Sequence, residues 1–361
     1  MSTPAASHMG PHFVEIFGQA LDDMKVVFQA PTSQPYLIAG SGTLGWDVVA
    51  TNFVEPGESV LILNTGLFGD RFGDCLETYG AKVTHLRSPF GSRASLEDIK
   101  TALTSVSKPY KAITITHIDT SSGVLSDAES ISKLVHQVSP STLVIVDAVC
   151  SAGAEVIRQD AWGLDVVLTG SQKALGAPPG LCVLMVSARG LETVNSRVAP
   201  PATYYASLKR WTPIMQGYMA RKPGYFGTPP VQLITALGTS LRQIVTADGG
   251  MEGRWAKHAT MNAHVKKFVQ DKGLKLVPTK EGEANAMTAV YYPEGVTPAS
   301  FLSGVFARGV QIAGGLHPDY ATKYFRIGHM NVSAIEPSNG HVDKTLVAVA
   351  ESLKENGYAH L

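Results

Sequence analysis

Short apolar runs, each followed by a stretch with helical periodicity, recur through the first half of the chain. Residues 59–63 read SVLIL, 112–116 AITIT, 142–146 TLVIV and 181–186 LCVLMV. Short, mostly aliphatic runs of this length suit strands buried on both faces of a sheet. Shorter runs at 35–39, 82–86 and 166–168 bring the expected strands to seven. Helical stretches at 43–53, 69–79, 96–105 and 127–138 lie between them. Parallel neighbours need such crossovers. The pattern therefore predicts an α/β fold: a large domain with a mostly parallel seven-stranded sheet between helices.

The pattern changes after about residue 190. Residues 196–227 are rich in aromatics, Pro and Gly and read as ordered connecting structure. Two long helices are expected at 231–248 and 251–271, then strands at 288–292 and 324–327 with helices at 298–308 and 341–356. This mixture predicts a smaller C-terminal α+β domain. The boundary falls at Gly249-Gly250, giving domains of 1–249 and 250–361. A hydrophobic share of 44% against 17% charged supplies a large core and excludes wholesale disorder. Lys plus Arg and Asp plus Glu are both 30, so the chain lacks the basic footprint of a nucleic-acid or anionic-membrane binder. No apolar run reaches the roughly 20 residues of a membrane helix, and neither a secretory signal nor a mitochondrial presequence is visible. Cys75, Cys150 and Cys182 are widely spaced, with no metal-ligand pattern, and read as buried reduced thiols.

Residues 169–180, TGSQKALGAPPG, hold one lysine, Lys173, among small residues, Gly and Pro. An amine in such a setting is suited to forming a Schiff base with an aldehyde, although a loop-tip lysine has the same local signature. Asp147 ends the apolar run that begins at Thr142, which places its carboxylate where open α/β sheets bind ligands. A helix cap is the simpler reading of Asp147 alone. Lys173 follows 26 positions later (147 to 173), room for one short crossover, so both groups come to neighbouring strand ends. A lysine for the aldehyde and an aspartate for the pyridinium nitrogen are what pyridoxal phosphate chemistry requires. Gly40-Ser41-Gly42-Thr43 follows a strand and opens a helix, a place where backbone N–H groups favour a phosphate.

With these motifs in place, the chain resembles the alanine–glyoxylate (serine–pyruvate) aminotransferases, a group of fold-type I pyridoxal-phosphate enzymes. GSGTLGWD (40–47), VDAVCS (146–151), KRWTPIM (209–215), YFGTPPVQLI (225–234), IAGG (312–315) and YFRIGHM (324–330) are closest to its fungal members. The resemblance implies that Lys173 carries the Schiff base and moves the Cα proton, and that Asp147 holds the ring nitrogen. It implies a phosphate cradle of Ser41, Gly42, Thr43 and Gln172. Phe68 stacks on the ring, Val149 packs on its other face and Ser121 sits near the ring hydroxyl. Arg326 is implied to hold the substrate carboxylate, and no metal is expected. Tyr225 and Thr228 match residues that reach the phosphate of a neighbouring subunit, so a homodimer is implied.

The implied reaction moves the amino group of L-alanine to glyoxylate by a ping-pong mechanism, giving pyruvate and glycine. No second arginine is evident for a distal carboxylate, so small substrates are expected. A serine-preferring enzyme, a phosphonate or ureidoglycine aminotransferase, and an inactive cofactor-binding scaffold are the alternatives. A cysteine desulfurase is disfavoured because the last cysteine, Cys182, falls in an apolar strand. The family's opening Gly-Pro-rich segment has no counterpart here, so the N-terminal arm reads as shortened. The final Ala359-His360-Leu361 fits the small-basic-Leu form of a peroxisomal address read by an import receptor.

Overall fold

The computed structural model describes residues 6–358. Ala359, His360 and Leu361, which carry the expected peroxisomal address, lie outside the described residues.

Seven strands form the central sheet. Across it they run Gln34–Ala39, Leu181–Val186, Val166–Gly170, Leu143–Asp147, Ala112–Thr116, Ser59–Asn64 and Lys82–Arg87. Leu181–Val186 is antiparallel to both neighbours, and the other six strands share one direction. The four strands at the centre are buried at every position, Thr114, Thr116, Asp147 and Thr169 included, as mostly aliphatic strands covered on both faces are. Lys82–Arg87 carries polar residues and forms one edge, which discourages further strand pairing. The other edge, Gln34–Ala39, tolerates Pro35 because an edge strand has spare N–H positions.

Helices Gly42–Asn52, Leu67–Thr78, Leu96–Thr104 and Ala128–Val138 make the crossovers. Two further helices depart from the sequence expectation. Pro11–Val27 buries Phe13, Phe17, Leu21 and Met24, whose spacing of three to four residues makes one apolar face. Leu208–Met219 replaces the expected connecting structure and runs through Pro213. Tertiary bonds hold it: Leu208 N–H donates to the Asn52 side chain, and the Trp211 indole donates to Tyr205 O.

The C-terminal part has a three-stranded antiparallel sheet, Met287–Tyr291, Tyr324–Gly328 and Ala313–Gly314. Helices Pro298–Ala307 and His341–Glu355 pack on it. Helix Gly250–Asp271 serves both parts: Trp255 belongs to the large core and Met261 to the second. A small third cluster, including Cys150, Ala174, Met287, Ala289 and Tyr324, lies along the seam between them. Among the described residues no helix is long and apolar enough to cross a membrane.

Candidate active site

Five segments converge at the C-terminal rim of the parallel strands. Asp147 and Thr116 end adjacent strands and face each other in register. Lys173 follows three positions after Gly170, the last residue of the neighbouring strand. Gly42 opens the helix after Gln34–Ala39, and Phe68 lies in the first turn after Ser59–Asn64. Together with Ser41, Thr43, Val149 and Gln172 they line a cleft of about 230 Å³. Ligands in open α/β sheets bind at this rim because the loops there are free to diverge.

Asp147 forms the base of the cleft and is buried. Its Oδ1 accepts the Val149 N–H at 2.9 Å, and its Oδ2 accepts the Trp46 indole N–H at 2.7 Å. Burial pushes the carboxyl up to about 6, and the two hydrogen bonds pull it back. No cation pairs with it among the described residues, so an acidic ring N–H is the partner this carboxylate is suited to hold. No helix starts at Asp147, the next one being Gln159–Trp162, so the helix-cap alternative does not hold; the bond to Val149 is a local turn contact that leaves lone pairs for a ligand.

Lys173 is half-buried and Gln172 exposed, so the segment is more open than its Gly and Pro content suggests. The reason is its place in turns outside the sheet, between Gly170 and Leu181. Ser41 stands at the N-cap of helix Gly42–Asn52 but makes no capping bond, so its hydroxyl is not committed to the helix. A Cβ on Gly42 would fall 2.6 Å from Val149 Cγ2, so only glycine allows the helix start to approach the cleft wall this closely.

The structure places Ser121 beside Asp119. Its hydroxyl donates to Asp119 Oδ1 and accepts the Leu67 N–H, and it does not line the cleft. Thr120 lines it instead. Asp119 is buried and also accepts the N–H groups of Phe68 and Gly69. The two side chains therefore cap helix Leu67–Thr78 from a distant loop and fix Phe68 at the cleft wall. Gly66 permits this approach, since a Cβ there would fall 2.3 Å from Ser121 Oγ.

Arg326 stands beside the cleft in strand Tyr324–Gly328. Its Nε donates to Gly314 O at 2.8 Å, and one terminal nitrogen donates to Thr120 O at 3.1 Å. No carboxylate of the described residues pairs with it, and burial pushes the guanidinium down from its ordinary value. A half-buried guanidinium held only by carbonyls retains the capacity to receive a carboxylate. Tyr225 and Thr228 do not line this chain's cleft. Their hydroxyls lie 3.3 Å apart, and Tyr225 is 65% exposed.

Sequence reasoning passed over Trp46, Asp119, Thr120 and Cys150. Trp46 had a usable signal, since it lies four residues after Gly42 and so shares its helix face. Asp119 and Thr120 had none, because their roles come from contacts across 50 or more positions.

A lysine amine, an unpaired buried carboxylate, a helix start and two flanking side chains form a cradle for a flat, phosphorylated aldehyde with a basic ring nitrogen. The residues present fit pyridoxal phosphate, as the close approach at Gly42 and the unpaired Asp147 indicate. The sequence pattern of the family described as aminotransferase class-V matches residues 2–331. The chain is 43% identical over 347 residues to alanine–glyoxylate aminotransferase 1 of Saccharomyces cerevisiae, covering 92% of this chain and 88% of that protein. It is 31% identical over 329 residues to L-aspartate–glyoxylate aminotransferase of Paracoccus denitrificans, covering 91% and 81%. The crystal structure of alanine–glyoxylate aminotransferase from Nostoc sp. superposes with a TM-score of 0.88 at 29% identity, covering 97% of this chain and 90% of that one.

Proposed function

From the premise that this chain belongs to the class-V aminotransferase family, and is a transaminase whose cofactor is pyridoxal phosphate, we propose that it transfers the amino group of L-alanine to glyoxylate. The observation that carries this reading is the meeting of Lys173 and Asp147 in one small cleft with Arg326 at its side. All three relatives named above have glyoxylate in their names, which supports it as the acceptor.

When bound, pyridoxal phosphate supplies an aldehyde that takes up the amino group and a ring that accepts electron density from the substrate Cα. Ser41, Gly42, Thr43 and Gln172 hold its phosphate, with the start of helix Gly42–Asn52 contributing backbone N–H groups. Phe68 and Val149 orient the ring. Asp147 keeps a proton on the ring nitrogen through its carboxylate. Arg326 binds the carboxylate of the amino acid and thereby aims its Cα–H bond. The Lys173 amine would take up the substrate Cα proton and hand it on within the cleft. The same residues act in reverse order on glyoxylate, so the kinetics are ping-pong.

Among the described residues, Lys173 is the single cation lining the cleft, and Arg326 stands next to it. A second carboxylate on the substrate would have no partner there, which favours alanine over aspartate. Tyr225 and Thr228 complete the phosphate site of a second copy in this reading, so the active species is a homodimer.

The test is the near-ultraviolet and visible spectrum of the purified protein. A yellow protein that bleaches with alanine and recovers with glyoxylate is expected. Lys173→Ala should remove both changes while leaving the fold intact. Bleaching by aspartate or serine but not by alanine would overturn the donor assignment.

A further inference from the structure

Arg254 lies in helix Gly250–Asp271, outside the cleft, and is only 6% exposed. No carboxylate of the described residues pairs with it. Its charge is met by three neutral acceptors instead. Nε donates to Gly153 O at 2.8 Å, and one terminal nitrogen donates to Ala174 O at 2.6 Å and to Asn331 Oδ1 at 3.1 Å. Burial without a counter-charge pushes the guanidinium down to about 10. Such a cation is expensive to keep, so its three acceptors are informative.

Each acceptor leads to a residue of the site. Ala174 follows Lys173 directly. Gly153 belongs to the turn that leaves Asp147. Asn331 lies three residues beyond Gly328, the end of the strand that carries Arg326. The lysine segment and the Asn331 segment also fit closely: a Cβ on Gly176 would fall 1.7 Å from Asn331 Nδ2. Asn331 holds a left-handed backbone with φ of 53°. Its N–H donates to His258 Nε2 at 3.1 Å, while His258 Nδ1–H donates to Arg254 O at 2.9 Å. One turn of one helix therefore grips Asn331 by both its backbone and its side chain.

We propose that Arg254 is a positioning residue that holds the amine of Lys173 in register with the guanidinium of Arg326. It touches neither substrate nor cofactor. It joins the large domain's proton-transfer group to the carboxylate-binding strand through one rigid, planar side chain. The inference rests on the roles given above to Lys173 and Arg326.

The experiment compares single-turnover bleaching of the loaded protein by alanine and by ethylamine, which lacks a carboxylate. Register between Lys173 and Arg326 matters only to the first. The wild-type protein should react faster with alanine by a large factor. In Arg254→Met, that factor should fall by about 10- to 100-fold, the scale on which small misalignments act. Arg254→Lys should restore part of it, because an ammonium can reach Ala174 O. Asn331→Gly, which keeps the left-handed backbone and removes the acceptor, should lower the factor as well and serves if Arg254→Met does not fold. A ratio of alanine to ethylamine rates unchanged in these variants would overturn the proposal, whatever their stability. A wild-type protein with no preference for alanine over ethylamine would overturn the role of Arg326, and this proposal with it.

Discussion

Asp147 receives two hydrogen bonds, from the amide of Val149 and the indole of Trp46. The first is local and would survive most substitutions. The second depends on a side chain 101 positions away, held in place by stacking on Phe72 at 5.5 Å between ring centroids. A hydrogen bond to a charged acceptor favours the charged form, so Trp46 lowers the pH at which Asp147 ionises. Trp46→Phe keeps the stacking and removes the donor. Its expected effect is a loss of about 10-fold in the alanine half reaction, in line with ~1.5 kcal/mol for a hydrogen bond to a charged group. The acid limb of the pH profile should also move upward, because an unassisted Asp147 stays protonated to higher pH. A lower rate with an unmoved acid limb would mean that Trp46 acts through packing alone. At this scale the sequence singled out Lys173 and Asp147 as charges in Gly-rich and apolar runs, and Arg326 through the family resemblance alone. It did not display the partners of Ser121, because a hydroxyl's partners are set by what folds against it.

Helices and loops show the same division. The crossover helices follow from periodicity, and Ala128–Val138 begins at an aspartate cap, where Asp127 accepts the Ser130 N–H. Helix Leu208–Met219 was hidden by Pro213 and by its aromatic surroundings, and the distant Asn52 and the nearby Tyr205 carbonyl hold it. The segment around it leaves Val198, Tyr204 and Tyr225 exposed at 96%, 67% and 65%. Arg210 lies over the Tyr204 ring at 4.2 Å. A rigid exposed aromatic surface of this kind is suited to a partner, and the proposed homodimer supplies one. The purified protein should sediment at twice the mass of one chain. Tyr225→Ala should weaken pyridoxal phosphate binding by about 10-fold, as loss of one hydrogen bond to a charged group would. A monomer that binds the cofactor equally well with or without Tyr225 would refute the shared site.

The whole molecule is joined at a seam that carries buried charge. Glu155, from the loop after Asp147, accepts hydrogen bonds from the backbone N–H and the side-chain Nδ2 of Asn285 across the seam. Burial pushes it up to about 7, with those bonds pulling back, from an ordinary 4.5. Between these values the folded protein holds a proton that the unfolded chain has released. Stability from this group is therefore complete below about pH 4.5 and is lost as pH rises through 7. The total is on the order of 3 kcal/mol at most. Glu155→Gln should flatten the decline in melting temperature over that interval, and an unchanged slope would assign the decline to other groups. By itself the sequence determined the βα order of the large sheet and the change of architecture beyond residue 190, and it nominated Lys173 and Asp147 as the candidate pair. These follow from local periodicity and from charges placed in apolar runs. Only the tertiary structure decided that Trp46 grips Asp147, that Asp119 and Ser121 cap the helix of Phe68, and that Arg254 ties the lysine segment to the strand of Arg326. Hydrogen bonds between positions 50 to 100 apart leave no period in the chain, because their geometry exists only once the sheet has brought the strand ends together.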